Sequence, residues 1–120
     1  MQKLLIVDDD TVIQALLKDY FEALTYEVTV AASATECLEK LRDSLYDAIL
    51  MDFQISDMDA TELLTTIKSD NLKRSTKIII ISGNEQAQEL IEDKGLFAEA
   101  YITKPFTPKE ILTKINELLI

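Results

Sequence analysis

The chain of 120 residues contains no histidine. That absence removes the commonest general base near neutral pH, the commonest protein ligand for zinc, and any phosphohistidine chemistry carried by the chain itself. A lone cysteine, Cys37, excludes an internal disulfide framework and a thiolate metal site, and its helical position predicts core packing in a reducing, cytoplasmic setting. No apolar run approaches the roughly eighteen residues of a membrane span, and the first residues lead straight into a strand, so a soluble, unprocessed chain is expected. Positive charge is also short. Twelve Lys and Arg face 22 Asp and Glu, and the net charge of −10 opposes a polyanionic partner, which disfavours direct nucleic-acid binding. Carboxylates, hydroxyls and lysine are left to carry any chemistry.

What is present is a regular alternation of strand and helix signals. Lys3 to Val7 reads as a strand, followed by a helix capped by Asp10 or Thr11 whose apolar positions Val12, Ile13, Leu16, Leu17, Tyr20 and Leu24 keep helical spacing. Glu27 to Ala31 alternates and is rich in β-branched residues, which predicts a second, more exposed strand. Ser33 caps a helix from Ala34 to Ser44, with Glu36 as its capping-box partner. Asp47 to Asp52 is an apolar strand ending on a carboxylate, and Ala60 to Ser69 is helical through Leu63, Leu64 and Ile67. A polar stretch, Asp70 to Thr76, closes that unit. Ile78 to Ile81 is the strongest strand signal, a helix is expected over Glu85 to Asp93, and Ala100 to Ile102 forms a short strand. Thr107 caps a last helix with Pro108 in its first turn.

Strict alternation at this length predicts a single domain, residues 1–120, with a doubly wound, five-stranded parallel sheet of flavodoxin-like order 2-1-3-4-5 and helices on both faces. In such sheets ligands bind at the carboxyl ends of the strands. That edge collects Asp8, Asp9, Asp52, Ser82 and Lys104. Carboxylates so close repel one another, and invite a divalent cation or raised pKa values.

Leu5-Ile6-Val7-Asp8-Asp9-Asp10, Ala48-Ile49-Leu50-Met51-Asp52, Ile80-Ile81-Ser82-Gly83 and Tyr101-Ile102-Thr103-Lys104-Pro105-Phe106, in that order, resemble the receiver domain of two-component response regulators over the whole chain. The resemblance implies that Asp52 is the phosphoacceptor and Asp9 a direct Mg²⁺ ligand, with Asp8 acting through water or weaker coordination and the backbone carbonyl of Gln54 completing the protein ligands. It implies that Ser82 and Lys104 each take a phosphoryl oxygen, that Lys104-Pro105 is cis, and that Tyr101 turns inward as Ser82 moves. A sensor histidine kinase or histidine phosphotransfer protein would be the donor. An output domain or partner protein would read the face formed by the fourth helix, fifth strand and fifth helix. The chain would be no enzyme beyond its own Mg²⁺-dependent phosphorylation and dephosphorylation.

Plainer roles stand beside these. Asp10 and Asp57 are better read as helix caps than as site residues, Ser82 alone would be a cap, Tyr101 alone a core-edge aromatic, and Leu96-Phe97 either core or an exposed patch. Ser56, Asp57 and Ala60 replace the Pro and Gly usual after the family's phosphoacceptor, which weakens the loop's intrinsic preference for one conformation. Asp57 and Asp59 add negative charge near the site, and Phe97 stands where glycine is common. Leu4 to Ile13 also fits the nucleophile motif of haloacid-dehalogenase-type phosphatases, with Asp8 as nucleophile, but Asp52 would then be idle and the later acidic pair is missing. A phosphorylation-independent interaction module and an FMN carrier remain as further alternatives. The first leaves the complete acidic, hydroxyl and lysine set unexplained, and the second puts a flavin phosphate against three aspartates.

Overall fold

Ten elements alternate without exception in a computed structural model that describes residues 2–69 and 75–119. The strands are β1 Lys3–Val7, β2 Glu27–Ala31, β3 Ala48–Asp52, β4 Lys77–Ser82 and β5 Ala100–Thr103. The helices are α1 Thr11–Ala23, α2 Ala34–Asp43, α3 Ala60–Ser69, α4 Ala87–Glu92 and α5 Pro108–Leu119. The sheet is parallel with strand order β2-β1-β3-β4-β5, as the alternation predicts. The expected polar connection Asp70 to Thr76 lies largely outside the described residues.

The all-apolar strands sit in the middle because they must be covered on both faces. Every residue of β3 is buried, whereas β2, at the edge, is exposed at Glu27 and half-buried through Val30. Side chains alternate across the sheet. Leu5, Val7, Ile49, Met51, Ile78 and Ile80 pack under α2, α3 and α4. Leu4, Ile6, Leu50, Ile79, Ile81 and Ile102 pack under α1 and α5, against Leu17, Phe21, Ile111 and Ile115. Cys37 is fully buried in the first of these cores, and burial pushes its thiol up to about 12, so it behaves as a small apolar side chain.

Helix boundaries follow the caps. The Asp10 side chain accepts from the backbone N–H groups of Val12 and Ile13, which makes it the cap of α1. Ser33 accepts from Glu36 N–H, while the Glu36 carboxylate accepts from Ala32 N–H, one residue earlier than a reciprocal capping box would have it. One expectation is corrected: α4 is shorter than Glu85 to Asp93, running only from Ala87 to Glu92. Its start is delayed because Asn84 engages Gln86 N–H through its side chain and accepts from Ala87 N–H through its carbonyl, closing a turn rather than a helical first turn. Thr25, just after α1, has a positive φ of 69°, a conformation in which a β-branched residue is strained.

Candidate functional site

Register brings the acidic residues together. Val7 pairs with Met51 in the β1–β3 ladder, so Asp8 and Asp52, the next residues along, emerge side by side at the carboxyl rim. Both have the strand parity of Ile6 and Leu50, toward α1 and α5. Continuing the alternation of β5 past Thr103 gives Lys104 that same parity, and its Nζ lies 3.1 Å from Asp52 Oδ2. Asp9 adds an exposed carboxylate. The side chains of Asp8, Asp9 and Asp52 each bring an oxygen within 4.8 Å of the others. The resulting cleft, about 640 Å³, is also lined by Gln54, Asp59 and Lys104.

The local hydrogen bonds fix these groups. Asp8 Oδ1 accepts from Asp10 N–H at 2.9 Å, and its backbone carbonyl accepts from the Gln14 side-chain amide. Asp52 Oδ1 accepts from Gln54 N–H at 2.9 Å, leaving Oδ2 to Lys104. The Lys104–Pro105 peptide is cis, as expected. Asp8 is only 4% exposed, and burial raises its pKa from 3.8 to about 6. The Asp10 N–H opposes that rise, the charge of Asp52 adds to it, and Lys104 and Asp9 make smaller, opposing contributions. The rim therefore carries excess negative charge that a cation would relieve. Carboxylate oxygens at this spacing fit a small, hard divalent ion, whose opposed ligands stand about 4 Å apart. The cluster can hold a metal.

Ser82 is brought to the same rim but not into the acidic cleft. It has the parity of Ile80, toward α4, and its hydroxyl is engaged with the Asn84 backbone, accepting from N–H at 2.8 Å. It lines a separate space of about 140 Å³ together with Tyr101, which shares its parity. The Tyr101 hydroxyl accepts from Ala98 N–H at 3.0 Å, and its ring is half-buried against the α2–α4 core. Phe97 is 55% exposed, with the Lys68 ammonium 4.2 Å from its ring centre.

The loop after β3 engages both of its acids, Asp59 at the border of the cleft and Asp57 outside it. Asp57 reaches across to α2, where Oδ1 accepts from Ala34 N–H at 2.9 Å and Oδ2 from Thr35 N–H and Oγ1 at 3.2 and 2.9 Å. It does cap a helix, but one that precedes it by 22 residues or more, which no local spacing signals. Asp59 caps α3 by accepting from the N–H and hydroxyl of Thr61. These bonds hold both carboxyls below the usual carboxylate range. The Gln14 contact to Asp8 also escapes a reading by motif, because the glutamine lies a turn into α1, beyond the acidic run.

Fold and rim together define a class: a flavodoxin-like α/β domain whose ligand edge carries a carboxylate cluster paired with one lysine. The family model for the response regulator receiver domain matches residues 4–116. The transcriptional regulatory protein SrrA of Staphylococcus aureus is 31% identical over 117 residues, which are 98% of this chain and 47% of that protein. A CheY-like response regulator receiver domain protein from Methanospirillum hungatei superposes with a TM-score of 0.88 at 37% identity, covering 99% of this chain and 94% of that one. The response regulator TrrA of Thermotoga maritima, solved in complex with Mg²⁺-BeF, gives a TM-score of 0.84 at 25% identity, with 98% and 99% of the two chains covered. This chain belongs to the response regulator receiver family of two-component systems. It spans about half the length of the curated relatives it matches. Among the described residues no helix is long and apolar enough to cross a membrane.

Proposed function

We propose that Asp52 is the phosphoacceptor of this receiver domain and takes its phosphoryl group from a phosphohistidine on a sensor kinase or a phosphotransfer protein. In that step the donor's N–P bond breaks, an Asp52 Oδ–P bond forms, and the histidine leaves as imidazole; water later cleaves the acyl phosphate to restore the carboxylate. The observation that carries this reading is the Lys104 ammonium, 3.1 Å from a buried Asp52 beside the Asp8 and Asp9 carboxylates. With no histidine, this chain has no phosphohistidine of its own to donate, which supports the accepting role.

Asp8, Asp9, one oxygen of Asp52 and the Gln54 carbonyl would hold Mg²⁺, the cation of the TrrA complex. When bound, the ion supplies positive charge against the phosphoryl oxygens. The chain's own groups do the rest. Gln54 N–H holds Asp52 Oδ1 in place, Lys104 neutralises a phosphoryl oxygen, and Gln14 steadies the Asp8 backbone. Ser82 would exchange its bonds with Asn84 for one to the phosphoryl group, and Tyr101 would give up Ala98 to fill the space between them. The readout is then the α4–β5–α5 face, presented to an output domain or partner protein. The chain acts in the cytoplasm, and the net charge of −10 argues against contact with nucleic acid by these residues themselves. No catalysis beyond self-phosphorylation and dephosphorylation is assigned to it.

Incubation with acetyl phosphate and Mg²⁺, followed by peptide mapping, tests the reading. A phosphoryl adduct on Asp52, absent in Asp52→Asn and in EDTA, is expected. An adduct on Asp8 would instead favour a phosphatase-type nucleophile and overturn the assignment.

A further inference from the structure

The segment Phe53 to Asp59 joins the phosphoacceptor strand to α3 and carries the Gln54 carbonyl, yet it contains neither proline nor glycine, the residues that stiffen or shape a turn. Its anchors can be followed one by one. Gln54 N–H is bonded to Asp52, the Ile55 side chain is 8% exposed in the core, and Asp59 caps α3. Between Ile55 and Asp59 the chain turns at the exposed residues Ser56 and Asp57; Met58 packs on the core, and the polar tie is the Asp57 carboxylate on α2.

That tie is firm because its far end is firm. Ala34, Cys37, Leu38 and Leu41 bury the inner face of α2 against the sheet. The first turn of a helix also has backbone N–H groups with no internal partner. Ser33 satisfies the one on Glu36, and Asp57 takes those on Ala34 and Thr35, with the Thr35 hydroxyl added. The carboxylate thus bridges two elements distant in sequence with three hydrogen bonds, at the apex of the loop that must present a carbonyl to the acidic cleft. A proline would fix such a turn from within by setting φ; here the constraint comes from outside, through α2.

We infer that Asp57 is a positioning residue for the acidic cleft: its tether to the α2 N-terminus holds the Asp52–Asp59 loop, and with it the Gln54 carbonyl, in the cation-binding arrangement. The inference rests on the reading of the cleft as the Mg²⁺ and phosphoryl site. It assigns Asp57 a mechanical role, not an electrostatic one, because the carboxylate is turned onto α2 and is not among the groups that line the cleft.

Mg²⁺ titration of the whole chain, followed by amide chemical shifts, together with the rate of adduct formation from acetyl phosphate, tests it in four variants. Asp57→Ala raises the Mg²⁺ dissociation constant about tenfold, the scale on which groups that orient metal ligands act, and slows phosphorylation in step. Asp57→Asn keeps an acceptor for Ala34 N–H but puts a donating NH2 where Oδ2 accepts from Thr35, so it shows a smaller loss in the same direction. Ser56→Pro is silent alone but restores Mg²⁺ binding in the Asp57→Ala background, a non-additivity that a merely destabilised α2 would not produce. A normal Asp57→Ala or a double variant left unrestored overturns the tether. If Asp57→Ala does not fold, Asp57→Asn takes its place: an Asp57→Asn with normal Mg²⁺ binding, or one that Ser56→Pro leaves unrestored, overturns the tether. A wild-type chain that takes up neither Mg²⁺ nor a phosphoryl group overturns the reading of the cleft, and the tether with it.

Discussion

Replacing Asp8 by asparagine should make the metal-free protein more stable, although it removes one carboxylate of the rim cluster. Asp8 is 4% exposed, and its pKa rises from 3.8 to about 6, chiefly through burial. Between those values the folded chain keeps a proton that the unfolded chain has released. Stability attributable to this residue is therefore complete below pH 3.8 and is lost as pH climbs to about 6. At neutral pH the ionised, buried carboxylate remains as a standing cost. The gap between about 6 and 3.8, at ~1.4 kcal/mol per pH unit, amounts to on the order of 3 kcal/mol. Asparagine keeps the oxygen that accepts from Asp10 N–H, so the change removes charge with little loss of hydrogen bonding. For a domain of this size the gain corresponds to a rise in Tm of roughly 10 °C. Urea unfolding in EDTA from pH 3.5 to 8 measures it: the advantage of Asp8→Asn over wild type should be near zero at the acid end and grow to its full value by about pH 7. The oppositely perturbed Asp57 and Asp59 are common to both proteins and cancel in the difference. A variant no more stable than wild type at pH 7, or an advantage that does not change with pH, would refute the claim that crowded, buried charge is stored at this rim. On the proposed Mg²⁺ site, saturating Mg²⁺ should shrink the advantage, since the variant would offer the ion one carboxylate fewer.

Lys104→Met should act in the opposite direction, lowering metal-free stability by on the order of 2 kcal/mol, because Asp52 loses its ammonium partner while its side chain stays 7% exposed; an unchanged urea midpoint would contradict the pairing. Thr25→Gly should raise stability by about 1 kcal/mol, since glycine adopts the positive φ found there without the penalty a β-branched residue meets. A loss on that substitution would mean that the hydroxyl's bond to the Leu24 carbonyl outweighs the backbone strain.

Much of this molecule is readable from local pattern. Buried strands announce themselves as uninterrupted apolar runs, and the amphipathic helices between them leave one topology that obeys the handedness of crossovers. Strand ends then locate Asp8, Asp9, Asp52, Ser82 and Lys104 on one rim before any coordinates exist. The sequence pattern overstates α4 because its charged residues continue past both ends, while Asn84 closes a turn at one end and Gly95, with φ of 74°, lies beyond the other. An acid at position 57 signals a cap, but local spacing does not signal that the helix it caps is the preceding one, α2.

The amino-acid order by itself determined the fold and the rim, because hydrophobic periodicity and strand termination are properties of a few consecutive residues. Only the tertiary structure decided which carboxylates converge and which helix each cap serves. Asp8, Asp9 and Asp52 bring oxygens within 4.8 Å of one another, while Asp57 leaves the cleft for the N-terminus of α2 and Asp59, at the cleft's border, caps α3. It likewise decided that Ser82 rests against Asn84 on the α4 side, away from Asp52. A carboxylate reads the same in any position along a chain. Its role is fixed by which N–H, ammonium or second carboxylate the fold places within hydrogen-bonding distance.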